Sequence, residues 1–379
     1  MGSKERVRKA IHLEHPDHVP LGMYAIDCDT VERIIGRKTY FRDKVRSQIA
    51  LWEGRREEVA ESLKADAVEL FEKLDCVDLI SFKDAMLLPP RDYEPLRPKK
   101  IADDMWEDRE GNVYKASYLT NDMTLVRRAN STFREYTAEE FSDEPEVTPP
   151  DPSAFEVYDY VMERLGSTRY VAGRAGSIVG MVLLGGMENG LMHYVVDPDA
   201  VRASTARAVK IANRMDDFYI HDTDDGILME QDQATTQGPM ISPEMYRSIV
   251  LPAMKERITH VKSYGKQILF HCCGNTWKLL DMFVEAGVQC YQSLQTGCMD
   301  IRRLKEGYGD RLCFWGGVAV EKLVTGTPED VRTDVRYALQ YGAPGGGFIL
   351  GPSHSIAYGT QYDNFMAMLD EHDRLKNRV

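Results

Sequence analysis

The stretch Gln267-Ile-Leu-Phe-His-Cys-Cys-Gly-Asn275 joins a short apolar run to a polar end, and a helical pattern follows it directly. The run is too short for a buried helix and ends at Gly274, which is typical of a β-strand. Strand side chains alternate between two faces, so His271 and Cys273 share one face while Cys272 points to the other. A strand that leads into a helix in this way is the repeating unit of a parallel α/β fold.

The same unit recurs along the whole chain. Short runs rich in Val, Ile, Leu and Phe alternate with helical patterns, and each run is closed by Gly, Pro or polar residues. Eight runs are predicted as strands: His18–Ala25, Cys76–Phe82, Arg169–Ala175, Gly226–Asp232, Gln267–Cys273, Val288–Leu294, Leu312–Val318 and Gly347–Pro352. Eight strands that alternate with helices predict a closed (β/α)8 TIM barrel.

Several helices carry start signals, namely a capping Ser, Thr or Asn followed by Pro or an acidic residue. Three are predicted from these signals: one from Ser242-Pro243 to about Ser263, one over Thr276–Glu285 capped by Asn275, and one over Val331–Tyr341 capped by Thr327.

One region breaks the alternation of strands and helices. Asp103–Arg128 has a strand-like alternation around a turn at Glu110-Gly111-Asn112, which predicts a small antiparallel sheet. The following acidic, Pro-rich stretch Glu139–Pro152 is typical of a surface connection. We therefore predict one barrel domain over residues 1–379, with residues 103–152 as an insertion within it.

The composition narrows the class of protein. The chain has 379 residues, with 47 Lys and Arg against 60 Asp and Glu, so its formal net charge is −13. This balance argues against binding to nucleic acid or to an anionic membrane. No apolar window is long enough to span a membrane, and the N-terminus lacks a signal-peptide pattern. Seven scattered cysteines, an odd number, suit the reducing cytoplasm, which is the predicted location.

Polar side chains at strand ends meet at the C-terminal mouth of a parallel barrel, where active sites lie. His271 and Cys273 are candidate metal ligands there, and His354 after the last run is a third. Imidazole nitrogen and thiolate sulfur are ligands that zinc prefers. The alternatives are histidines that bond loop carbonyls and thiols that belong to the core.

Two carboxylates end the fourth predicted strand on a shared face. Glu230 and Asp232 are candidates for general acid or base, for completing a metal site, or for accepting backbone N–H bonds. Arg174 is a candidate for binding a carboxylate or phosphate, with a structural ion pair as the alternative. The residues predicted to bind substrate at the mouth are Met23, Tyr24, Phe82, Arg174 and Asn275.

Four segments together resemble the uroporphyrinogen decarboxylase superfamily, which includes corrinoid-dependent methyltransferases. Lys4 through Pro20 looks like the first helix of the family and its approach to strand one. The segment from Asp232 to Tyr246 is similar to the central block that joins an acidic strand end to a helix. Gln267–Asn275 is similar to the strand that carries the H-x-C element of the methyltransferases, and the segment from Gly346 to His354 matches the closing element. The resemblance implies a (β/α)8 barrel.

The resemblance also favours one branch of the family. True uroporphyrinogen decarboxylases carry an Arg-rich motif after strand one, because their substrate bears many carboxylates. Here the segment from Met23 to Asp29 contains no Arg and two acids. Zinc-dependent thiol methyltransferases of the family bind the metal through H-x-C and a distant Cys. His271 and Cys273 match the first pair, and His354 occupies the distant position.

The resemblance therefore implies a zinc site of His271, Cys273 and His354, with Glu230 or Asp232 as the candidate fourth ligand. The expected activity is O-demethylation of a methoxylated aromatic compound, with His271, Glu230 and Asp232 as catalytic residues. The methyl group passes to a corrinoid carried by a partner protein.

Three other functions stay open at this point. They are transfer from methylcobalamin to a thiol or a pterin, uroporphyrinogen decarboxylation, and a non-catalytic corrinoid-handling barrel. The oligomeric state is not decided by the sequence, although the dimeric decarboxylases of the family suggest a homodimer.

Overall fold

A parallel sheet forms the wall of a barrel in the computed structural model, which describes residues 1–129, 133–143, 145–176 and 178–377. The strands are β1 (Leu79–Ser81), β2 (Lys99–Ala102), β3 (Met105–Glu107), β4 (Val113–Ser117), β5 (Asp122–Arg127), β6 (Tyr170–Gly173), β7 (Gly226–Glu230), β8 (Ala234–Thr235), β9 (Gly238–Pro239), β10 (Gln267–His271), β11 (Cys290–Leu294), β12 (Cys313–Val318) and β13 (Phe348–Pro352). The wall has the order β1-β6-β7-β10-β11-β12-β13, and all its pairs are parallel.

The first predicted strand, His18–Ala25, closes this wall but is not a regular strand. Leu21 forms an isolated parallel bridge with Leu350 at one edge of the sheet, and Gly22 forms one with Leu79 at the other. The segment lies between the two edges and hydrogen-bonds to both, so it closes the barrel through isolated bridges. The predicted (β/α)8 fold is thus confirmed, and the other seven predicted strands are present with slightly shorter bounds.

Helices surround the wall. They are α1 (Ser3–Ile11), α2 (Cys28–Ile35), α3 (Lys44–Trp52), α4 (Arg56–Lys73), α5 (Glu156–Leu165), α6 (Met187–Val196), α7 (Pro198–Tyr219), α8 (Pro243–Met245), α9 (Leu251–Lys262), α10 (Leu280–Ala286), α11 (Ile301–Tyr308), α12 (Val320–Thr325), α13 (Pro328–Gly342) and α14 (Tyr362–Leu375). A π-helical segment, Tyr246–Val250, joins α8 to α9, so the helix predicted to reach Ser263 is present.

One helix starts later than predicted. The α10 helix begins at Leu280 rather than at Thr276. The side chain of Asn275 does accept a hydrogen bond from the Trp277 backbone N–H at 3.4 Å. The Trp277 indole, however, donates to the carbonyl oxygen of Cys298 at 3.1 Å. Residues between Asn275 and α10 therefore form a short turn in place of the first helical residues. The local helix signal does not predict this turn, because it depends on a bond to a distant residue.

The predicted antiparallel insertion is present as the four-stranded sheet β2-β3-β4-β5. It begins at Lys99, slightly before the predicted start. The turn between β3 and β4 contains Gly111 at φ +85°, and the Asp108 carboxylate accepts two backbone N–H groups of that turn. Residues 130–132 and 144 of the predicted insertion lie outside the described residues.

Two apolar layers follow from strand alternation. The barrel interior holds side chains such as Leu228, Leu269 and Trp315, and α1 packs below them at the N-terminal ends of the strands. The larger core lies between the wall and the outer helices. Glu230 and His271 stand two residues after the interior residues Leu228 and Leu269, so their side chains lie on the same face of the strand. They therefore face the mouth of the barrel. Among the described residues, no helix is both long enough and apolar enough to cross a membrane.

Candidate active site

The three predicted metal ligands meet at the mouth of the barrel. His271 ends β10, Cys273 follows two residues later, and His354 lies just beyond β13. One ligand atom from each side chain lies within 4.8 Å of those of the other two. The Cys273 Sγ is 3.2 Å from the His271 Nε2. Closure of the barrel thus brings together residues that are far apart in the sequence.

Gln292 orients the His271 ring. It lies on β11 in register with His271, and its amide oxygen accepts a hydrogen bond from His271 Nδ1. With the proton on Nδ1, the lone pair of Nε2 points toward Cys273. Burial lowers the pKa of His271, which favours the neutral ring that binds a metal. Sequence reasoning missed Gln292, although a polar residue two positions after Cys290 on an inward strand face was a usable signal.

The other two side chains complete a donor set that suits zinc. Burial, together with the nearby Asp232, raises the pKa of the Cys273 thiol to about 12, so it ionises only beside a cation. Burial lowers the pKa of His354 to about 4, and its Nδ1 lies 3.0 Å from the Ser355 hydroxyl. One thiolate and two neutral imidazoles fit the preferences of Zn²⁺ and cancel only part of its charge.

A second cluster, of Tyr24, Lys83 and Glu230, adjoins the donor set. The Tyr24 hydroxyl donates to Glu230 at 2.6 Å, and the Lys83 ammonium lies 3.1 Å from the other carboxylate oxygen. The Tyr24 ring also stacks on His271, with centroids 4.2 Å apart and planes 7° apart. The two clusters therefore share one wall of the mouth.

The ionisation of Glu230 follows from these partners. Burial alone would raise its pKa, but the charge of Lys83 and the bond from Tyr24 outweigh burial and lower it. Glu230 is therefore a carboxylate at neutral pH, and it accepts the hydrogen bonds from Tyr24 and Lys83. Lys83 was missed because it follows the second predicted strand among ordinary loop residues.

Asp232 lies at the edge of the donor set. Its carboxylate accepts the backbone N–H of Cys273 at 2.9 Å and lies 3.9 Å from the His271 Nε2. Its side chain is about half exposed. Among the described residues, the three-ligand group contains neither Asp232 nor Glu230.

The predicted substrate-binding residues divide into two groups. Phe82 and Arg174 line a cavity of about 300 Å³ that Glu230 also lines. Met23, by contrast, is fully buried in the outer core. The side chain of Asn275 bonds only within its own turn, among the contacts described. Only the first group faces the mouth together with Tyr24.

The fold and the site define a class: an α/β barrel whose C-terminal mouth carries a His–Cys–His set of potential metal ligands. A model of the family described as Uroporphyrinogen decarboxylase (URO-D) matches residues 153–375. This match covers more than half of the chain, so the chain belongs to that family. The family predicted from the sequence is confirmed.

Two similar proteins bear on the branch within the family. A "Methylated-thiol--coenzyme M methyltransferase" of Methanosarcina mazei is 31% identical over 134 residues, which is 35% of this chain and 34% of that protein. The alignment thus spans only about a third of that relative. A solved structure, "methyltransferase from Methanosarcina mazei", has a TM-score of 0.67 at 15% identity, covers 99% of both chains and supports the fold. Both names agree with the predicted methyltransferase branch.

Proposed function

We propose that this protein is a corrinoid-dependent methyltransferase that removes the methyl group of a methoxylated aromatic compound. The observation that carries the proposal is the donor set of His271, Cys273 and His354 beside the cavity lined by Phe82 and Arg174. The methyl acceptor is the cobalt of a corrinoid that a partner protein presents at the mouth.

The donor set supports an ether as the methyl donor. An aryl ether is a poor electrophile, so the barrier falls when charge on its oxygen is stabilised as the bond to the methyl carbon breaks. A zinc ion bound by these residues would supply a Lewis acid for that oxygen. A single thiolate among the three ligands preserves more of that acidity than two thiolates would.

The side chains around the donor set have separate tasks in this proposal. Gln292 holds His271 in the tautomer that leaves Nε2 free, and Tyr24 stacks on the ring and limits its rotation. Transfer would break the methyl carbon–oxygen bond, whose electron pair leaves with the phenolate, and the reduced cobalt(I) of the partner's corrinoid would supply the electron pair for its bond to the methyl group. The phenolate oxygen would then take up a proton. Lys83 holds a proton at Nζ beside the site, and the Glu230 carboxylate keeps that ammonium in place.

A methylated thiol is a second candidate donor. The relative from Methanosarcina mazei, whose name includes a methylated thiol and coenzyme M, favours it. Sulfur is a softer ligand than an ether oxygen and suits zinc with more thiolate ligands. The replacement of a second Cys by His354 is the reason that we place this candidate after the aryl ether.

The experiment combines the protein with a reduced corrinoid protein and a panel of methoxybenzenes or methylated thiols. The expected products are a phenol and methylcobalamin. Chromatography detects the phenol, and the cobalamin absorption spectrum detects methylcobalamin. Transfer from the thiols alone would replace the first candidate by the second. Absence of transfer from every methoxyaromatic compound would refute the O-demethylase proposal.

A further inference from the structure

Arg174 is a half-buried cation without a counter-ion. No carboxylate oxygen lies within 4.0 Å of its guanidinium among the described residues. Its Nε is buried and has no hydrogen-bond partner. Arg257, in contrast, is fully buried and pairs with Asp216. In a chain with 60 acidic and 47 basic side chains, a buried arginine that lacks an acid is unusual.

Two aromatic rings contact the Arg174 guanidinium, but they do not neutralise its charge. Its Cζ lies 4.7 Å from the centre of the Tyr219 ring and 5.7 Å from that of Phe82. Stacking on aromatic faces restricts the side chain and leaves its N–H edge free for a planar anion. Burial lowers the pKa of Arg174, and the charges of Tyr219 and Glu230 offset only part of that effect.

The cavity beside Arg174 leads toward the reacting groups. Apolar side chains such as Val179, Leu228 and Met229 line it, and Arg174 and Glu230 are its charged members. The charge of Glu230 is already balanced by Lys83 at 3.1 Å. The uncompensated charge of the cavity is therefore the positive one. Its volume of about 300 Å³ is at the lower end of the range for small-molecule sites.

We propose that the methyl donor carries a carboxylate, which Arg174 binds at the far end of this cavity from the donor set of His271, Cys273 and His354. This proposal rests on the proposed function and names its substrate class, a methoxylated aromatic acid. The aromatic ring lies against the apolar wall, and the methoxy group reaches the side of Glu230. A guanidinium binds a carboxylate through two parallel N–H···O bonds, which fixes both the position and the direction of the donor.

A carboxylate suits this cavity better than a phosphate does. A phosphate group carries nearly two negative charges at neutral pH and needs several cations or backbone N–H donors. Arg174 is a single cation, and the Glu230 carboxylate lines the same cavity. One guanidinium matches the charge of one carboxylate.

The test compares 4-methoxybenzoate with 4-methoxybenzyl alcohol, which has the same ring and methoxy group but no charge. Calorimetry measures the binding of both probes to the full chain without the corrinoid partner. The variants are Arg174→Gln, Arg174→Lys and, as a control with the same change in net charge, Arg202→Gln on the exposed part of α7. Circular dichroism and thermal melting verify that each variant is folded.

We expect Arg174→Gln to weaken 4-methoxybenzoate binding by about ten- to a hundredfold, because a hydrogen-bonded charge partner is lost. Binding of the neutral alcohol should stay within about twofold, Arg174→Lys should retain part of the benzoate affinity, and Arg202→Gln should match the wild type. Equal losses for both probes, or undiminished benzoate binding in Arg174→Gln, would overturn the proposal. The two proposals fail separately, since benzoate binding does not require methyl transfer and transfer from the neutral alcohol does not require Arg174.

Discussion

The two ends of the barrel treat their polar groups in opposite ways. At the N-terminal end the buried side chains of Arg6 and Asp78 form an ion pair, and Asp225 receives both Lys4 and Arg8. At the C-terminal end, by contrast, the potential metal ligands His271, Cys273 and His354 lie together, and Arg174 has no ion-pair partner among the described residues. Buried polar atoms without a hydrogen-bond partner occur at both ends, for example Gln292 Nε2 at the mouth and Arg169 Nε directly before β6.

This difference separates stability from function within one fold. Loss of one partner of a buried ion pair is destabilising, whereas imidazole and thiolate groups that lie together at the mouth are suited to bind a metal. The paired charges at the N-terminal end join α1 to residues directly before β1 and β7. Substitutions at the two ends should therefore affect different measurements.

The largest effect is expected at the donor set. Cys273→Ala removes the thiolate, so zinc content should fall from about one per chain to near zero, and methyl transfer should fall by about a hundred- to ten-thousandfold. Metal analysis and the transfer assay measure the two effects. Cys272→Ala is the matched control, because Cys272 is fully buried in the outer core. Equal zinc content in Cys273→Ala and wild type would contradict the proposed site.

A loss of stability without loss of zinc is expected at the opposite end. Asp78→Ala leaves Arg6 without its buried partner and removes the acceptor of the Leu21 backbone N–H. The free energy of unfolding should fall by about 3 kcal/mol, as measured by urea denaturation. Asp17→Ala should cost less, since the Asp17 side chain is 35% exposed. An Asp78→Ala protein that loses zinc but keeps its stability would contradict the assignment of stability to the N-terminal end.

A smaller effect on metal affinity is expected at Gln292. Gln292→Leu removes the acceptor of His271 Nδ1, so zinc affinity measured by chelator competition should fall by about ten- to a hundredfold. Gln292→Glu keeps an acceptor and should retain most of the affinity. Gln289→Leu makes the same change at the opposite end of the strand, where Gln289 bonds the backbone of Ile268. That control should change stability alone, and a loss of zinc there would show that the effect is not specific to the mouth.

An effect of pH on stability, without an effect on zinc, is expected at Asp84. Burial raises the pKa of this carboxyl from 3.8 to about 7 in the folded protein. Between these values the folded chain holds the proton more tightly than the unfolded chain, so this stabilising contribution is complete below pH 3.8 and is lost as the pH rises through 7.

Asp84→Asn cannot ionise and should avoid that loss. Relative to wild type, the variant should gain about 2.7 kcal/mol of unfolding free energy between about pH 5 and pH 8, because wild type loses about 1.36 kcal/mol per pH unit until the folded pKa is reached. Urea titrations at both pH values measure this change. Asp75→Asn, at an exposed carboxyl, is the control and should show no such trend. A constant difference between Asp84→Asn and wild type at the two pH values would contradict the assignment.

Much of the site was predictable because strand alternation has a fixed period. The i, i+2 spacing predicted that His271 and Cys273 share a face, and barrel closure predicted that His354 joins them. Met23 and Asn275 were placed at the mouth by their position near strand ends. Met23 instead follows the outward face of its segment, and Asn275 bonds to its own turn. Nearness to a strand end is thus weaker evidence that a residue lines the mouth than the face of the strand on which its side chain lies.

The sequence by itself determined the fold and the family and singled out the three candidate metal ligands, because these depend on periodicity and on residue chemistry. The tertiary structure decided which nitrogen of His271 is free and that Glu230 is ionised. It also left Arg174 without an ion-pair partner among the residues that the structure describes. Each of these properties depends on groups from other strands or loops, such as Gln292 and Lys83. Protonation and pairing are set by distances across the barrel, and no local pattern in the chain encodes those distances.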